Sequence, residues 1–297
     1  MEINNQQPLI SIQILNWNRP EESVRAIHSA LNQSYKNIEV VIIDNGSSDH
    51  SVQLIRDNFP DLKIIELDKN YGCPGGRNKG VEHCNGEYIF YLDNDGVLHQ
   101  EAVLNAYNTF LRDKDIVLVT GLIKDFDDTN EIDLTFNIQK SAPYYYSNFD
   151  GGICMHKKSM YLKTGLFPSH FMYGAEEMFL SYKIFENGFK IAKDENVILW
   201  HKKSSQSRDI TKETINSYFN KLYTSIVLFP FIPMILFCSF FIFLYFIHAY
   251  KAKILKNYLR VFIPKFYQTM ISGLKNRNPI RNETYERIKK FKPSNIS

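Results

Sequence analysis

Four short apolar runs, at residues 9–15, 38–43, 62–67 and 88–92, are separated by stretches whose apolar residues recur at helical spacing. Nothing else in the chain restricts the fold as tightly. Runs of this length, rich in Ile and Val, read as strands buried on both faces. Strands that alternate with helices pair in parallel, because only a long crossover returns the chain to the same end of the sheet. The expectation is an α/β fold, a Rossmann-like mostly parallel central sheet flanked by helices and joined by right-handed crossovers. The first helix is expected over 20–33, with Val24, Ile27, Ala30 and Leu31 on one face. The polar turn Asp44–Asp49 caps a second helix over 50–59, and a third covers 75–84.

Beyond residue 115 the pattern is less regular. Asp125 to Asn130 reads as a polar turn, and Pro143-Tyr144-Tyr145-Tyr146 as a loop or edge strand. Residues 153–156 suggest a strand, 175–187 a helix closed by Gly188, and 197–200 a short apolar strand.

No Asp, Glu, Lys or Arg occurs between Lys221 and Lys251, so a different organisation is expected there. Pro230 and Pro233 place the start of a clean helix at Pro233. About eighteen residues of helix reach roughly 27 Å, marginal for a hydrocarbon core. A helix apolar all round must be buried in protein or in lipid. Ile254, Leu255, Tyr258, Leu259, Phe262 and Phe266, interleaved with Lys256, Arg260 and Lys265, suit an amphipathic helix lying in a membrane interface. The division expected is a catalytic domain over 1–221 and a membrane-associated helical region with a basic tail over 222–297.

Charge supports that division. The net charge of +3 combines a segment from Lys251 onward with twelve basic and two acidic residues and a preceding body with 23 basic and 30 acidic ones. The basic tail suits anionic lipid or nucleic acid; the uncharged run beside it favours lipid, so no nucleic-acid partner is expected. With 44% apolar and 23% charged residues, the chain can build one large core and is not disordered throughout. The cysteines, Cys73, Cys84, Cys154 and Cys238, form no CxxC pair, which argues against a zinc site and for reduced thiols. The polar start Met1-Glu2-Ile3-Asn4-Asn5 shows no signal-peptide pattern.

Several segments carry chemistry. Tyr91-Leu92-Asp93-Asn94-Asp95 follows the fourth apolar run, and ligands of open parallel sheets bind beyond the carboxyl ends of strands. Two carboxylates there can converge on a hard divalent cation, Mg²⁺ or Mn²⁺, which would bridge diphosphate oxygens and neutralise a leaving group. Asp44 lies where a carboxylate can accept hydrogen bonds from a ribose or base, although turn chemistry alone also explains it. Asn70–Asn78 is glycine-rich but is neither a Walker A loop nor GxGxxG; Arg77 adds a fork that fits phosphate. Glu176-Glu177 opens a helix, where the carboxylates favour the dipole or one acts as a general base. His201, after Trp200, is either structural or a third metal ligand.

In this order the segments resemble family 2 glycosyltransferases of the GT-A fold, including rhamnosyltransferase-like members, from about Ile10 to Arg208. The resemblance is carried by Ile14-Leu15-Asn16-Trp17-Asn18-Arg19, Val41–Asp49, Asn70-Tyr71-Gly72 with Gly76-Arg77-Asn78, Tyr91–Asp95 and Gly174–Glu177. It implies donor contacts at Asn16, Asn18, Asp44, Arg77 and Asp93, with Asp44 on the base, Arg77 on the nucleotide and Asp93 near the ribose and diphosphate. It implies metal ligation at Asp95, with Asp93 and His201 beside it, and a catalytic acidic pair, Glu176 and Glu177, the second being the base. Lys202, Lys203 and Arg208 follow in a segment expected to close over the donor. Phe179-Leu180 and Lys183 depart from the family's continuation of the acidic motif, which puts acceptor contacts in doubt.

The implied function is inverting, metal-dependent transfer of a hexosyl or deoxyhexosyl group from a nucleotide diphosphate to an acceptor hydroxyl. The acceptor would be a glycan or a lipid-linked sugar, in cell-surface polysaccharide or glycolipid assembly. Nucleotide sugars are cytosolic and the basic tail prefers the same side, so the expectation is an in-plane helix or re-entrant hairpin on the cytoplasmic side of the plasma membrane. The alternatives are a processive synthase, whose Gln-x-x-Arg-Trp motif is absent because neither Trp17 nor Trp200 follows an Arg, and a non-catalytic sugar-nucleotide or glycan-binding protein.

Overall fold

The computed structural model describes residues 7–126, 141–202, 210–251 and 255–296. The chain runs β1 (Ile10–Asn16), α1 (Pro20–Leu31), β2 (Ile38–Asp44), α2 (Ser51–Asn58), β3 (Lys63–Glu66), α3 (Gly72–Val81) and β4 (Tyr88–Asp93). It continues through β5 (Gly96–Leu98), α4 (Ala102–Phe110), β6 (Ile116–Phe126), β7 (Tyr144–Tyr146), β8 (Ile153–Lys157), α5 (Tyr161–Thr164), α6 (Glu176–Glu186) and β9 (Lys190–Lys202). Four helices follow, α7 (Ile210–Leu228), α8 (Phe231–Lys251), α9 (Leu255–Lys275) and α10 (Asn282–Lys289), and a last strand, β10 (Ser294–Asn295).

The sheet order is β10-β7-β9-β6-β8-β4-β1-β2-β3, with β5 paired to β9. The four apolar runs form one parallel block, β4-β1-β2-β3, and β6 and β9 make a second parallel pair. The expected strand at 153–156 joins it antiparallel, between β4 and β6. Residues 197–200 are not a separate short strand but the end of the long β9. The Tyr144–Tyr146 strand is not an edge, because β10 pairs with its outer side. Asp125 and Phe126 continue β6 instead of opening a turn, and Asp127 to Asn130 lie outside the described residues.

Strand alternation divides the core. Ile10, Ile12, Ile14, Phe90 and Leu92 face α1 and α4, whereas Val41, Ile43, Ile89, Tyr91 and Cys154 face Leu180 and Ile184 of α6. The buried face of α1 is Ser23, Ala26, Ile27, Ser29 and Ala30, whereas Leu31 is exposed. The two serines are buried because each hydroxyl has partners: Ser23 donates to Asn16 Oδ1, and Ser29 donates to the Ala26 carbonyl and accepts from Leu98 N–H.

The C-terminal region returns to the body. Asn278 N–H donates to Val227 O at 2.9 Å and Ile280 N–H to Leu228 O at 2.8 Å, so α8 and α9 leave and re-enter at one place. Arg277 fastens the junction by donating to Ile226 O and Phe229 O. Arg281 pairs with Glu186 of α6, and Ile296 is buried in the core of the sheet. Among the described residues no helix is long and apolar enough to cross a membrane. In α9, Phe262 faces inward onto Phe219 and Phe266 stacks on it, which corrects the expectation that both face lipid. The outward residues are Ile263, Tyr267, Ile271 and Leu274. Ile254 and the side chains of Leu255, Lys256, Tyr258, Leu259 and Arg260 lie outside the described set.

Candidate active site

The register of three adjacent parallel strands sets the site. Asn16 is level with Asp44 across β1 and β2, and Leu15 with Asp93 across β1 and β4. All lie at carboxyl strand ends, where the loops toward α1, α2 and β5 open a cleft. Asn16 Nδ2 donates to Asp44 Oδ1 at 2.7 Å, and Asn16 Oδ1 accepts from Ser23 and from Asn94 Nδ2 at 3.1 Å. Ser47 donates to Asp44 from both its N–H and its hydroxyl. Asp44 is therefore a buried, oriented carboxylate. Asn18 takes a positive φ of 51° and accepts from Ser48 N–H, so the β1 and β2 loops interlock. The Trp17 ring beside them is half exposed.

Arg77, on α3, is almost fully buried, lies over the Tyr91 ring and donates to Asp93 Oδ1 at 2.6 Å. A buried guanidinium needs such a partner, and Asp93, still partly exposed, is open to a ligand on its outer side. Two residues on, the buried Asp95 Oδ2 lies 2.9 Å from Arg19 Nη1 and 3.3 Å from His201 Nε2. His201 arrives because β5 pairs with β9, Gly96 being level with His201. Lys203 and Arg208 lie outside the described residues, as does the side chain of Lys202.

Glu176 and Glu177 begin α6 after two left-handed residues, Gly174 (φ 83°) and Ala175 (φ 67°). The non-glycine Ala175 in this region marks a held, strained turn. Asn220 of α7 supports it by donating to Tyr173 O and Gly174 O. Glu176 is buried, and its Oε2 has no hydrogen-bond partner. Burial pushes the Glu176 carboxyl up, opposed by Arg77. Glu177 is raised to about 7, first by loss of solvent and then by the neighbouring Glu176. That value suits a general base near neutral pH.

The loop Asp150-Gly151-Gly152 joins these groups and was missed at the sequence level. A Cβ on Gly151 would lie 2.5 Å from Arg77 Nη1 and 2.8 Å from Glu177 Oε1, and one on Gly152 would collide with Asp93 Oδ2. Gly151 thus sits between the base candidate and the Arg77–Asp93 pair, which sets Glu177 beside Arg77 and Asp93. Its signal was the paired glycine before a strand, which marks close backbone approach. Arg19 was the second omission, visible only as part of a motif.

Chemically, Asp95 and His201 supply one hard oxygen and one imidazole to a shared point, while Asp93 gives one of its two oxygens to Arg77. Among the described residues no group of three His, Cys, Asp or Glu side chains is arranged to hold an ion. Two protein donors completed by diphosphate oxygens and water still fit Mg²⁺ or Mn²⁺, which usually keep several non-protein ligands. The cysteines add none: burial raises the Cys73 and Cys154 thiols, keeping them neutral.

Residues 11–167, more than half of the chain, match the profile described as Glycosyl transferase family 2. The chain belongs to that family. The matched region contains the strand-end carboxylates, Arg77 and the Gly151–Gly152 loop. Among curated proteins, this family 2 chain is 34% identical over 123 residues to a chondroitin synthase of Escherichia coli, covering 40% of this chain and 18% of that one. It is 33% identical over 128 residues to a UDP-Glc:alpha-D-GlcNAc-diphosphoundecaprenol beta-1,3-glucosyltransferase of the same species, covering 38% and 50%. The chain thus matches half or less of the length of either relative. Among solved structures, a mannosyltransferase of Pyrobaculum calidifontis in complex with GDP-Man and Mn²⁺ superposes with a TM-score of 0.59 at 14% identity, covering 96% of this chain and 88% of that one. The fold is GT-A.

Proposed function

We propose that the chain is an inverting, metal-dependent glycosyltransferase. It moves a hexosyl or deoxyhexosyl group from a nucleoside diphosphate to a hydroxyl of a glycan or lipid-linked acceptor, in polysaccharide or glycolipid assembly. The observation that carries this reading is the position of Glu177: a carboxylate raised to about 7, held by a strained turn and facing the Arg77–Asp93 pair across Gly151. Family membership and the nucleotide-sugar chemistry of the relatives support the donor class.

Asn16, Asn18 and Asp44 hold the nucleoside, and Arg77 and Asp93 orient the ribose and diphosphate. Asp95 and His201 would hold Mg²⁺ or Mn²⁺, which supplies positive charge for the departing diphosphate. Glu177 takes the proton of the acceptor hydroxyl as its oxygen bonds to the sugar carbon. The bond from that carbon to the diphosphate oxygen breaks, and its electron pair leaves with the nucleotide. One displacement inverts the carbon. Fixed carboxylates and a fixed guanidinium lower the barrier by positioning and by charge already oriented.

The acceptor reading draws on the α8–α9 hairpin. Phe231, Ile232, Leu236, Phe240 and Phe243 of α8 and Ile263 and Tyr267 of α9 are exposed on it. A patch of this kind marks an interaction surface. A hairpin with both ends on the body suits shallow insertion from one side, here the cytoplasmic face of the plasma membrane.

Incubating the chain with a panel of nucleotide sugars and Mn²⁺ tests the enzymatic reading. Metal-dependent release of nucleotide, lost by about 10²- to 10⁴-fold in Glu177→Gln when acceptor is present, is expected. Full transfer by a folded Glu177→Gln chain refutes the role of Glu177. Nucleotide-sugar binding without turnover on any donor or acceptor favours a binding protein.

A further inference from the structure

Arg19 ends the β1 loop, at the N-cap of α1, and its backbone N–H donates to Ser51 Oγ at 3.1 Å. Its side chain reaches Asp95, where Nη1 lies 2.9 Å from Oδ2. The Asp95 side chain is 5% exposed and that of Arg19 20%, so the pair is largely withdrawn from water. The oxygen that Arg19 occupies is also the one that His201 approaches at 3.3 Å. Among the described residues a permanently charged guanidinium and an imidazole therefore meet at one oxygen of the carboxylate on which a divalent cation would depend.

Building on the metal-dependent reading above, we infer that Arg19 is a positioning residue that couples cation binding to donor binding, by holding Asp95 until a diphosphate takes the guanidinium over. The physical reason is competition for charge. A buried carboxylate needs a counter-ion, and without ligands Arg19 is a resident one. A divalent cation arriving alone must share the Asp95 carboxylate with a positive group in a poorly solvated place or displace that group. A diphosphate changes the balance. Its oxygens suit the guanidinium fork, so Arg19 can move from carboxylate to phosphate and keep a partner. The positive charge that Arg19 held at Asp95 is then withdrawn, which favours the cation there, and the cation's charge in turn favours the diphosphate. Such a coupling is reciprocal: whatever factor the nucleotide gives the cation, the cation gives the nucleotide.

This role predicts effects of opposite sign, which a structural role does not. Removing the charge of Arg19 should strengthen binding of the cation alone and weaken binding of the nucleotide. The backbone hydrogen bond to Ser51 is independent of the side chain, so substitution leaves the loop anchored.

The test is a Mn²⁺ titration of the full chain, followed by the electron paramagnetic resonance of free Mn²⁺, without nucleotide and with UDP, GDP or dTDP. Wild type, Arg19→Gln and Arg19→Lys are compared, with melting temperature as a control. In wild type the preferred nucleotide should tighten Mn²⁺ by a factor within the usual coupling range of about 5 to 150. Arg19→Gln should bind Mn²⁺ alone about tenfold more tightly than wild type and lose most of the nucleotide-dependent gain. Arg19→Lys, which keeps the charge without the fork, should fall between them, and it decides the matter if the Gln variant melts early. Mn²⁺ affinity in the absence of nucleotide that is unchanged or weaker in both variants overturns the coupling while leaving the metal reading intact. Failure of every protein to bind Mn²⁺ with any nucleotide overturns the metal reading and the coupling with it.

Discussion

Replacing Glu177 by Gln should cost activity and add stability, and the second effect should depend on pH. The carboxyl stands at about 7 in the folded chain against an ordinary 4.5, because burial and Glu176 disfavour its charged form. Between those values the folded chain binds more protons than the unfolded one, so stability falls as pH rises through this window and levels off above it. At about 1.4 kcal/mol per pH unit the full difference is roughly 3 kcal/mol, and partial solvent access to the side chain reduces it to about 2–3 kcal/mol. The neutral amide removes this penalty. At pH 8 Glu177→Gln should melt roughly 4–10 °C above wild type, and near pH 4.5 the gap should close. Thermal melts from pH 4.5 to 8, followed by circular dichroism, measure this directly. In parallel, wild-type turnover should decline below about pH 7 as the base takes up its proton. A melting gap that is the same at both ends of the range, or a Gln variant less stable than wild type at pH 8, refutes the reasoning.

Two other perturbations probe the donor side of the site and the helical hairpin. Gly152→Ala places a methyl group against Asp93 Oδ2, pushing the carboxylate off Arg77. Nucleotide affinity should fall about tenfold or more, with a stability cost of about 1–3 kcal/mol from overpacking; an unchanged nucleotide affinity by calorimetry removes the Asp93–Arg77 pair from donor binding. Phe240→Asp with Phe243→Asp alters two side chains that are 59% and 61% exposed, so the melting temperature should hold within about 1–2 °C. Co-sedimentation with vesicles containing anionic lipid should be lost, and retained binding at wild-type level refutes the hairpin as the membrane-facing surface.

Much of the fold and site was legible in the linear chain for reasons that are local. The apolar runs around Ile12, Ile42, Ile64 and Phe90 mark strands by composition and length, and their alternation with helical spacing dictates parallel pairing. Because loops at carboxyl strand ends form the cleft, Asp44 and Asp93 could be placed in it from sequence order alone. Glu177 could be placed at a helix start because acidic residues favour that end of the dipole. The chain's order of elements therefore specified which residues reach the site.

Only the tertiary structure decided how those residues pair. Arg19 and Asp95 are 76 positions apart, and Gly151 meets both Arg77 and Glu177. No periodicity encodes such contacts, because they depend on the register between strands, on antiparallel β8 entering between β4 and β6, and on β9 pairing with both β6 and β5. Phe262 was expected to face lipid and packs on protein instead for the same reason: an aromatic residue on a helix satisfies either environment, and Phe219 lies opposite it. Local propensity and solvation act on each segment by itself, so the sequence carries them openly. Counter-ion choice, carboxylate protonation and close backbone approach are properties of distances between segments, and those exist only once the sheet has assembled.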